Sequence, residues 1–561
     1  MRVYPLGGLG EIGMNCMWIE TAHDAIIVDC GLLFSDLDHF GVEFVIPDFT
    51  PIVERREKVR GIFLTHGHED HVGALAFLLR AGIHAPLFAS PFTALLLRER
   101  LTEAGMFDRV EIRILKALTP GAGLPVSPQV RLGELAITPV SVNHSIIDSL
   151  ALLIDTPAGR IVHTGDFKID PTPFYGTELD STVFKAAGDR GVALLLSDST
   201  NVERHDHSMS EKVIYQRFEQ LFTETRGLTL VSMFASNVAR MGQVIELADR
   251  LGKRVAISGR TMDQNSRLGA ELGYLRQAPN VLIGLNQVHE FPRDKVIILS
   301  TGSQAERGSA LVRISRGEHP QIKLEAGDLV LMSSKFIPGN EKSIGRMIND
   351  LFKQGAEVLY ESIHEIHVSG HATRPELKKM IEWTRPRFFV PIHGEYRHLV
   401  HHSTLARETG IADDRVCLAV NGDVLLLDKN GIHVEQHIEE NRVLVEGREG
   451  GDISRLVLKD RRQLGETGVV FSLIVRNSET GRIIAGPDII ARGLTHEARE
   501  EWLIEEARTL VRKTVTDFAR GGGNVSPEGY DLQEAIRVHL RRFFKDNVGI
   551  KPVVLPIILD L

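Results

Sequence analysis

The first 200 residues set short apolar runs between turn residues. Ala25–Cys30, Gly61–Thr65, Leu150–Asp155, Arg160–His163 and Val192–Ser197 each have the pattern of a buried strand. Helical spacing begins after His71, in VGALAFLLRAG, with Gly82 as its stop. From about residue 210 the rhythm changes. Leu228–Met233 leads into VARMGQVIELADRLG, Arg254–Ser258 into QNSRLGAELGYL, and Lys295–Ser300 into QAERGSALVRI. Three strand-then-helix units in succession predict a parallel, doubly wound sheet. Strand Leu329–Ser333 follows, with a helix beginning near Ser343. After about 355 the first rhythm returns, with a strand at Arg387–Pro391 and a helix after Gly394. From about 445 a further segment holds a strand at Gly468–Val475 and helices near His496–Ala519 and Leu532–Asp546, joined through Gly521–Gly523. The ending VVLPIILDL is consistent with one more strand.

A chain of 561 residues exceeds what one hydrophobic core supports, so at least two domains are expected. The charge sum of −9 excludes nucleic-acid binding by bulk charge; such binding would need a local basic groove or metal ions. Cys16, Cys30 and Cys417 are too few and too scattered for a disulfide framework or a thiolate zinc site, and point to a reducing cytoplasm. No run of 18 apolar residues and no secretory signal is visible, so no membrane association is expected. Histidine, at 23 residues, is generous and clustered.

The densest chemistry is His66-Gly-His68-Glu-Asp70-His71, directly after a strand and before a helix. Imidazole and carboxylate together suit zinc or manganese. His144 in SVNHS, Asp166 in HTGDF and His393 in VPIHGEY stand at later strand ends, and as a set they complete two metal sites. Gly8-Leu-Gly10-Glu-Ile-Gly13, with Asp29 downstream, matches a dinucleotide fingerprint in spacing only, because a strand rather than a helix is expected to follow. His398, His401 and His402 read as a solvated or packing helix face. Arg512, Lys513, Arg541 and Arg542 read as a solvated face or a subunit contact.

HGHEDH resembles the HxHxDH signature of the metallo-β-lactamase fold, and Asp29 in IIVDCG resembles that fold's first motif. The resemblance implies His66, His68 and His144 on one metal and Asp70, His71 and His393 on the other. Asp166 would bridge them, and Asp29 would orient ligands from behind. The long interval from Asp166 to His393 carries Asp198 in LLSDSTN and the run His367-Val368-Ser369-Gly370-His371, which resemble β-CASP nuclease motifs. GGLGEIGMN, VIPDF, FASNVAR, STGSQAE, IPGNE, HVSGHA, VPIHGEYRHL and GPDIIARG are similar, in order, to segments of the ribonuclease J family. The chain departs from that pattern at Lys335-Phe336, where a shorter polar pair is usual, and in lacking an N-terminal extension.

The fold implied is α/β. A metallo-β-lactamase αββα sandwich (1–207 and 356–440) is split by an inserted β-CASP parallel α/β domain (208–355), and a linker with a small C-terminal α+β domain fills 441–561. The activity implied is a two-metal ribonuclease in which hydroxide from a bridging water attacks the phosphodiester. Zinc leads as the ion, with manganese or magnesium as the other choices. His371 would be the general acid and Asp198 its orienting carboxylate. His367–His371 would form the substrate-phosphate segment, and Ser236 and Asn237 would touch a nucleotide. The family implies 5′-to-3′ exonuclease action preferring a 5′-monophosphate, with endonuclease cleavage, in mRNA decay and rRNA processing. It also implies single-stranded RNA as partner, a homodimer or homotetramer, and contacts with RNA-decay or ribosome-associated proteins. The alternatives are a DNA nuclease of the same family and a non-catalytic scaffold in an RNA-decay assembly.

Overall fold

The computed structural model describes residues 1–35, 40–118, 130–276, 280–337, 339–361, 363–429, 431–439, 442–446, 451–494, 500–520 and 531–561. The chain forms two compact units, Met1–Asp36 with Phe44–Val443, and Leu37–Glu43 with Leu444–Leu561.

Two sheets face each other in the first unit. One has eight strands in the order Ile432–His437, Asp423–Leu427, Arg2–Gly7, Cys16–Glu20, Ala25–Val28, Val59–Leu64, Leu87–Ala89 and Ile112–Ile114. The other has six, Val130–Leu132, Leu135–Ser141, Leu150–Thr156, Gly159–His163, Leu194–Asp198 and Phe388–Ile392. The strands read as unbroken apolar runs because both faces are covered. Leu150, Leu152 and Ile154 enter the core between the sheets with Ile26 and Phe63. Their neighbours Ala151 and Leu153 pack outward with residues of helices Ser181–Asp189 and Arg374–Thr384. The last three strands of the six-stranded sheet run parallel, with His163 opposite Leu196 and Asp198 opposite Ile392, so their C-terminal ends share one edge.

Between Asp198 and Phe388 the chain builds a five-stranded, all-parallel sheet in the order Arg254–Ser258, Val296–Ser300, Thr229–Ser232, Leu329–Met332 and Glu357–Tyr360. Alternate residues again divide between two cores, Val231, Leu299 and Leu331 on one side and Leu230, Ile298 and Val330 on the other. The first of these cores also takes in Phe92, Leu96, Ile146, Ile366 and Val368, so the insert shares a core with the frame around it.

Helix boundaries differ from expectation where glycine intervenes. VGALAFLLRAG holds one helix, Leu75–Arg80, which ends before Gly82, and a separate short helix, Glu69–Val72, precedes it across Gly73. After Val296–Ser300 the helix is only Ala310–Ser315, because Gly302 (φ 105°) and Gly308 (φ 74°) hold the intervening residues in turns. The second unit is a three-stranded sheet, Ile483–Arg492, Val469–Arg476 and Val553–Asp560, whose buried face packs on helices Glu500–Arg520 and Leu532–Val548. Gly521–Gly523 lie outside the described residues. No helix among the described residues is long and apolar enough to cross a membrane.

Candidate metal centre

The segment from His66 to His71 is anchored by its own backbone before any ligand is considered. Asn15 N donates to Asp70 O (2.9 Å), Cys30 N to His71 O (2.7 Å) and Leu32 N to Glu69 O (3.1 Å). Gly31 permits this approach: a Cβ there would meet Asp70 O at 1.7 Å.

Seven side chains converge from the strand ends. His66 Nε2 lies 3.0 Å from His68 Nδ1, which lies 3.2 Å from His144 Nε2. Beside this trio, Asp70, His71, Asp166 and His393 form a second group, with the facing atoms of each group within 4.8 Å of one another. Asp166 Oδ2 is shared: it lies 3.2 Å from His71 Nε2, 3.3 Å from His393 Nε2, and 3.7 Å from both His66 Nε2 and His144 Nε2.

The ring nitrogen that each histidine turns away from the pocket is held. Thr65 Oγ1 takes His66 Nδ1 (3.0 Å), Asp29 Oδ2 takes His71 Nδ1 (2.8 Å), Gly370 O takes His144 Nδ1 (2.8 Å), Thr200 Oγ1 takes His393 Nδ1 (2.9 Å) and Ser236 Oγ takes His68 Nε2 (3.1 Å). Such contacts are how proteins orient imidazole ligands. Asp29 and His393 both adopt positive φ (61° and 52°), an uncommon conformation for non-glycine residues.

Charge in the pocket is polarised. Burial, and then the charge on His71, push His66 well below the ordinary histidine value. Burial likewise lowers His144 well below that value and His68 to about 4. At His71 burial also opposes charge, but Asp166, Asp70 and Asp29 overcome it and lift the group to about 10. His393 is raised well above its usual value in the same way, chiefly by Asp166 against burial. Asp166 is held well below the carboxylate range by His393 and His71 despite burial.

These observations fit a pair of divalent cations. His393 Nε2 is buried and makes no hydrogen bond, although it faces Asp70 and Asp166 at 3.4 and 3.3 Å. The donors are all nitrogen and oxygen, the set that zinc and manganese accept. Bound cations would supply the positive charge that the carboxylates otherwise draw from protons on His71 and His393.

His371 borders the cluster. Its Nδ1 is 2.9 Å from Asp198 Oδ2 and 3.9 Å from Asp166 Oδ2, and it groups with His144 and Asp166. Asp198 Oδ1 accepts from Thr200 N (3.0 Å) and Thr200 Oγ1 (2.8 Å). Gly370 packs against His144 so closely that a Cβ would sit 2.7 Å from the ring. Within the same segment His367 and Val368 turn inward and are buried, while Ser369 and His371 remain half-buried. His367 is held at about 3 by burial and then by Arg240. Asn237 Oδ1 caps helix Val238–Arg250 by accepting from Arg240 N (2.9 Å). His398 and His402 pack inside, and His401 is exposed. Gly8-Leu-Gly10 leads not to a dinucleotide helix but to strand Cys16–Glu20, and Leu9–Gly10 pairs with Gly394–Glu395 beside His393.

Several supporting residues have no motif of their own. Thr65, Thr200 and Asn201 are small polar residues beside recognised ones, and adjacency was the only signal available. Arg240 ends the family-like segment FASNVAR, but nothing in the sequence showed what it pairs with. It is fully buried, pairs with Glu211 (2.7 Å), and donates to Ser333 Oγ and to Ile366 O (3.3 Å), directly behind the His367–His371 segment.

A facing pair of sheets with a His/Asp cluster at one edge, under an inserted parallel domain, defines a metallo-β-lactamase-fold hydrolase of the β-CASP class. The chain matches the metallo-beta-lactamase superfamily over residues 9–172, the Ribonuclease J, beta-CASP domain over 226–351, the Zn-dependent metallo-hydrolase RNA specificity domain over 355–415 and the Ribonuclease J C-terminal domain over 456–561. It is 35% identical to Ribonuclease J 1 of Streptococcus pyogenes over 99% of this chain and 97% of that one. It is 33% identical to Ribonuclease J2 of Bacillus subtilis, over 100% and 99%. It is 36% identical to Ribonuclease J of a Synechocystis species, over 99% and 86%. A crystallised protein of unknown function from Enterococcus faecalis V583 shares the fold, at 15% identity and a TM-score of 0.50 over 75% of this chain and 99% of that one. The chain belongs to the ribonuclease J family and is a metal-dependent ribonuclease.

Proposed function

We propose that the enzyme degrades single-stranded RNA from the 5′ end toward the 3′ end, preferring a 5′-monophosphate, and also cleaves internally. The observation that carries this reading is the junction of Ser369, Gly370 and His371 with the metal cluster, made through Gly370 O on His144 Nδ1 at 2.8 Å. A phosphate bound along that segment lies beside the reacting centre.

His66, His68 and His144 would hold one cation, and Asp70, His71 and His393 the other, with Asp166 between them. When bound, zinc (or manganese or magnesium) supplies Lewis-acid charge to the phosphodiester and lowers the pKa of water. Asp29 fixes the His71 ring through Nδ1. His371 donates the proton that the leaving 3′-oxygen requires, from Nε2, while Asp198 holds its Nδ1 at 2.9 Å. Ser369 and the backbone of Gly370 bind phosphate. Ser236 sits against His68 at 3.1 Å, at the side from which a nucleotide would enter, and Asn237 supports it by capping the following helix. His367 and Val368 support the segment from within.

In the cell this chemistry suits mRNA decay and rRNA processing in the cytoplasm, alongside RNA-decay or ribosome-associated proteins. A homodimer or homotetramer is proposed through the C-terminal unit, supported by exposed Phe471, Leu473, Ile490, Leu555 and Ile557 on its sheet.

The test offers one RNA sequence with a 5′-monophosphate, 5′-triphosphate or 5′-hydroxyl, and the matching DNA, to protein loaded with zinc or manganese. Release of mononucleotides fastest from the monophosphate RNA is expected. Internal fragments alone would overturn the 5′-end reading, and cleavage of DNA alone would overturn the substrate.

A further inference from the structure

Strand Leu329–Met332 of the inserted domain runs out through Ser333 and Ser334 to Lys335, which brings a cation to the flank of the Ser369–His371 segment. Asn201 is the link. Its Nδ2 donates to Ser369 Oγ (2.7 Å) and to His371 O (3.0 Å), and its Oδ1 accepts from Lys335 Nζ (3.3 Å). Ser369 Oγ also accepts from His371 N (3.3 Å), so the ammonium stands one amide away from the groups that frame the segment.

Neighbouring cations are neutralised and this one is not. Arg204 pairs with Glu361 (3.2 Å), Arg374 with Glu408 (2.6 Å) and Arg397 with Glu203 (3.5 Å). Among the described residues, Asn201 Oδ1 is the only polar partner of Lys335 Nζ, and no carboxylate lies within 4.0 Å of it. Burial, and then the nearby Arg204 charge, lower its pKa from the ordinary lysine value, as expected of a cation short of compensating charge. A half-buried ammonium without a counter-ion costs free energy that an arriving anion recovers.

We propose that Lys335 binds a phosphate of the RNA beside Ser369, as a specificity-determining contact of the ribonuclease reaction. The contact is to phosphate and not to a base edge: an ammonium on a flexible stem is a point charge that carries no sequence information. The phosphate is either the 5′-terminal one or an internal diester. The proposal rests on the assignment of Ser369 and Gly370 to substrate phosphate.

The experiment compares the metal-loaded full chain with Lys335→Gln, which keeps an amide donor for Asn201 without charge, and with Lys335→Arg, which keeps charge. Initial rates are measured on 5′-monophosphate and 5′-hydroxyl RNA between 50 and 300 mM KCl, with the thermal midpoint of each protein as a folding control. Lys335→Gln is expected to raise KM about tenfold with kcat within about twofold, the size of one charged contact. The slope of log(kcat/KM) against log salt should fall by roughly 0.7, the value of one single-strand phosphate. Lys335→Arg should restore both to within about threefold. A defect on both RNAs identifies an internal diester, and a defect on the monophosphate RNA alone identifies the terminal phosphate. An unchanged salt slope in Lys335→Gln, or a loss confined to kcat, would reduce the lysine to a prop for Asn201 and overturn the proposal. Failure of the wild-type chain to cleave either RNA would instead overturn the functional reading beneath it.

Discussion

Asp198 and Asp29 do the same physical work at two different histidines. Each takes the Nδ1 of a ring, at 2.9 Å for His371 and 2.8 Å for His71. The Nε2 of His71 then faces two carboxylates, Asp166 at 3.2 Å and Asp70 at 3.6 Å, whereas His371 is the proposed general acid. His371→Ala should therefore lower kcat by about 10²–10⁴-fold with little change in KM, the usual scale of a lost general acid. Single-turnover rates at saturating enzyme would check it, and an equal loss expressed in KM would refute the acid role. Asp166→Ala removes the carboxylate that both ligand groups share. Elemental analysis should find two cations per chain in the wild type and fewer in the purified variant. Cation binding must also displace protons from His71 and His393, so metal affinity should rise with pH. Calorimetric titrations in two buffers of different ionisation enthalpy would read the protons released.

At the scale of elements, the His367–His371 segment is held from behind by charge. Ile366 O accepts from Ser333 Oγ (2.6 Å) and Arg240 Nη1 (3.3 Å), and Arg240 also pairs with Glu211, which pairs with Lys168 two residues beyond Asp166. One buried network thus joins the shared carboxylate's loop, helix Val238–Arg250 and the His367–His371 segment. Arg240→Met leaves Glu211 short of its main partner, and a loss of about 3–5 kcal/mol in chemical unfolding is expected. Glu211 titrates at about 2, below its ordinary 4.5, because Arg240 and Lys168 outweigh the effect of burial. A depressed carboxylate contributes stability above its unfolded pKa and loses it as pH falls through the folded one. The contribution, on the order of 3 kcal/mol, should fade between about pH 4.5 and 2. Denaturant midpoints measured from pH 7 to pH 3 should drop more steeply in wild type than in Glu211→Gln.

At the scale of the whole molecule, the proposed roles divide between the two compact units. The first holds every proposed metal ligand. The second buries one face of its three-stranded sheet against two helices and leaves Phe471, Leu473, Leu555 and Ile557 exposed on the other. Contiguous apolar surface of this kind marks an interaction site. Substituting Leu555→Lys together with Ile557→Lys should shift sedimentation toward smaller species while leaving the thermal midpoint within a few degrees. An unchanged sedimentation profile would refute the proposed self-association through this face.

Much of this molecule was legible along the chain. The doubly buried strands announced themselves as unbroken apolar runs, and HGHEDH announced the metal cluster, because ligands sharing one turn also share one stretch of sequence. The alternation of strand and helix from about residue 210 was enough to predict a parallel sheet, since period and order are properties of the chain. The strand order of that sheet, the shared core that binds it to the frame, and the networks of Thr200, Asn201, Arg240 and Lys335 were not legible. Each depends on groups from separate elements meeting at one place, from Val255 beside Ile297 to Thr200 beside His393. Asn201 is an unremarkable polar residue, and Lys335 only a departure from the family pattern, until strand Leu329–Met332 ends beside the Ser369–His371 segment. By itself the sequence determined which elements form and which residue types can hold metal. Tertiary structure alone decided which of those residues share a counter-charge, because burial and distance, not composition, set the strength of an electrostatic contact.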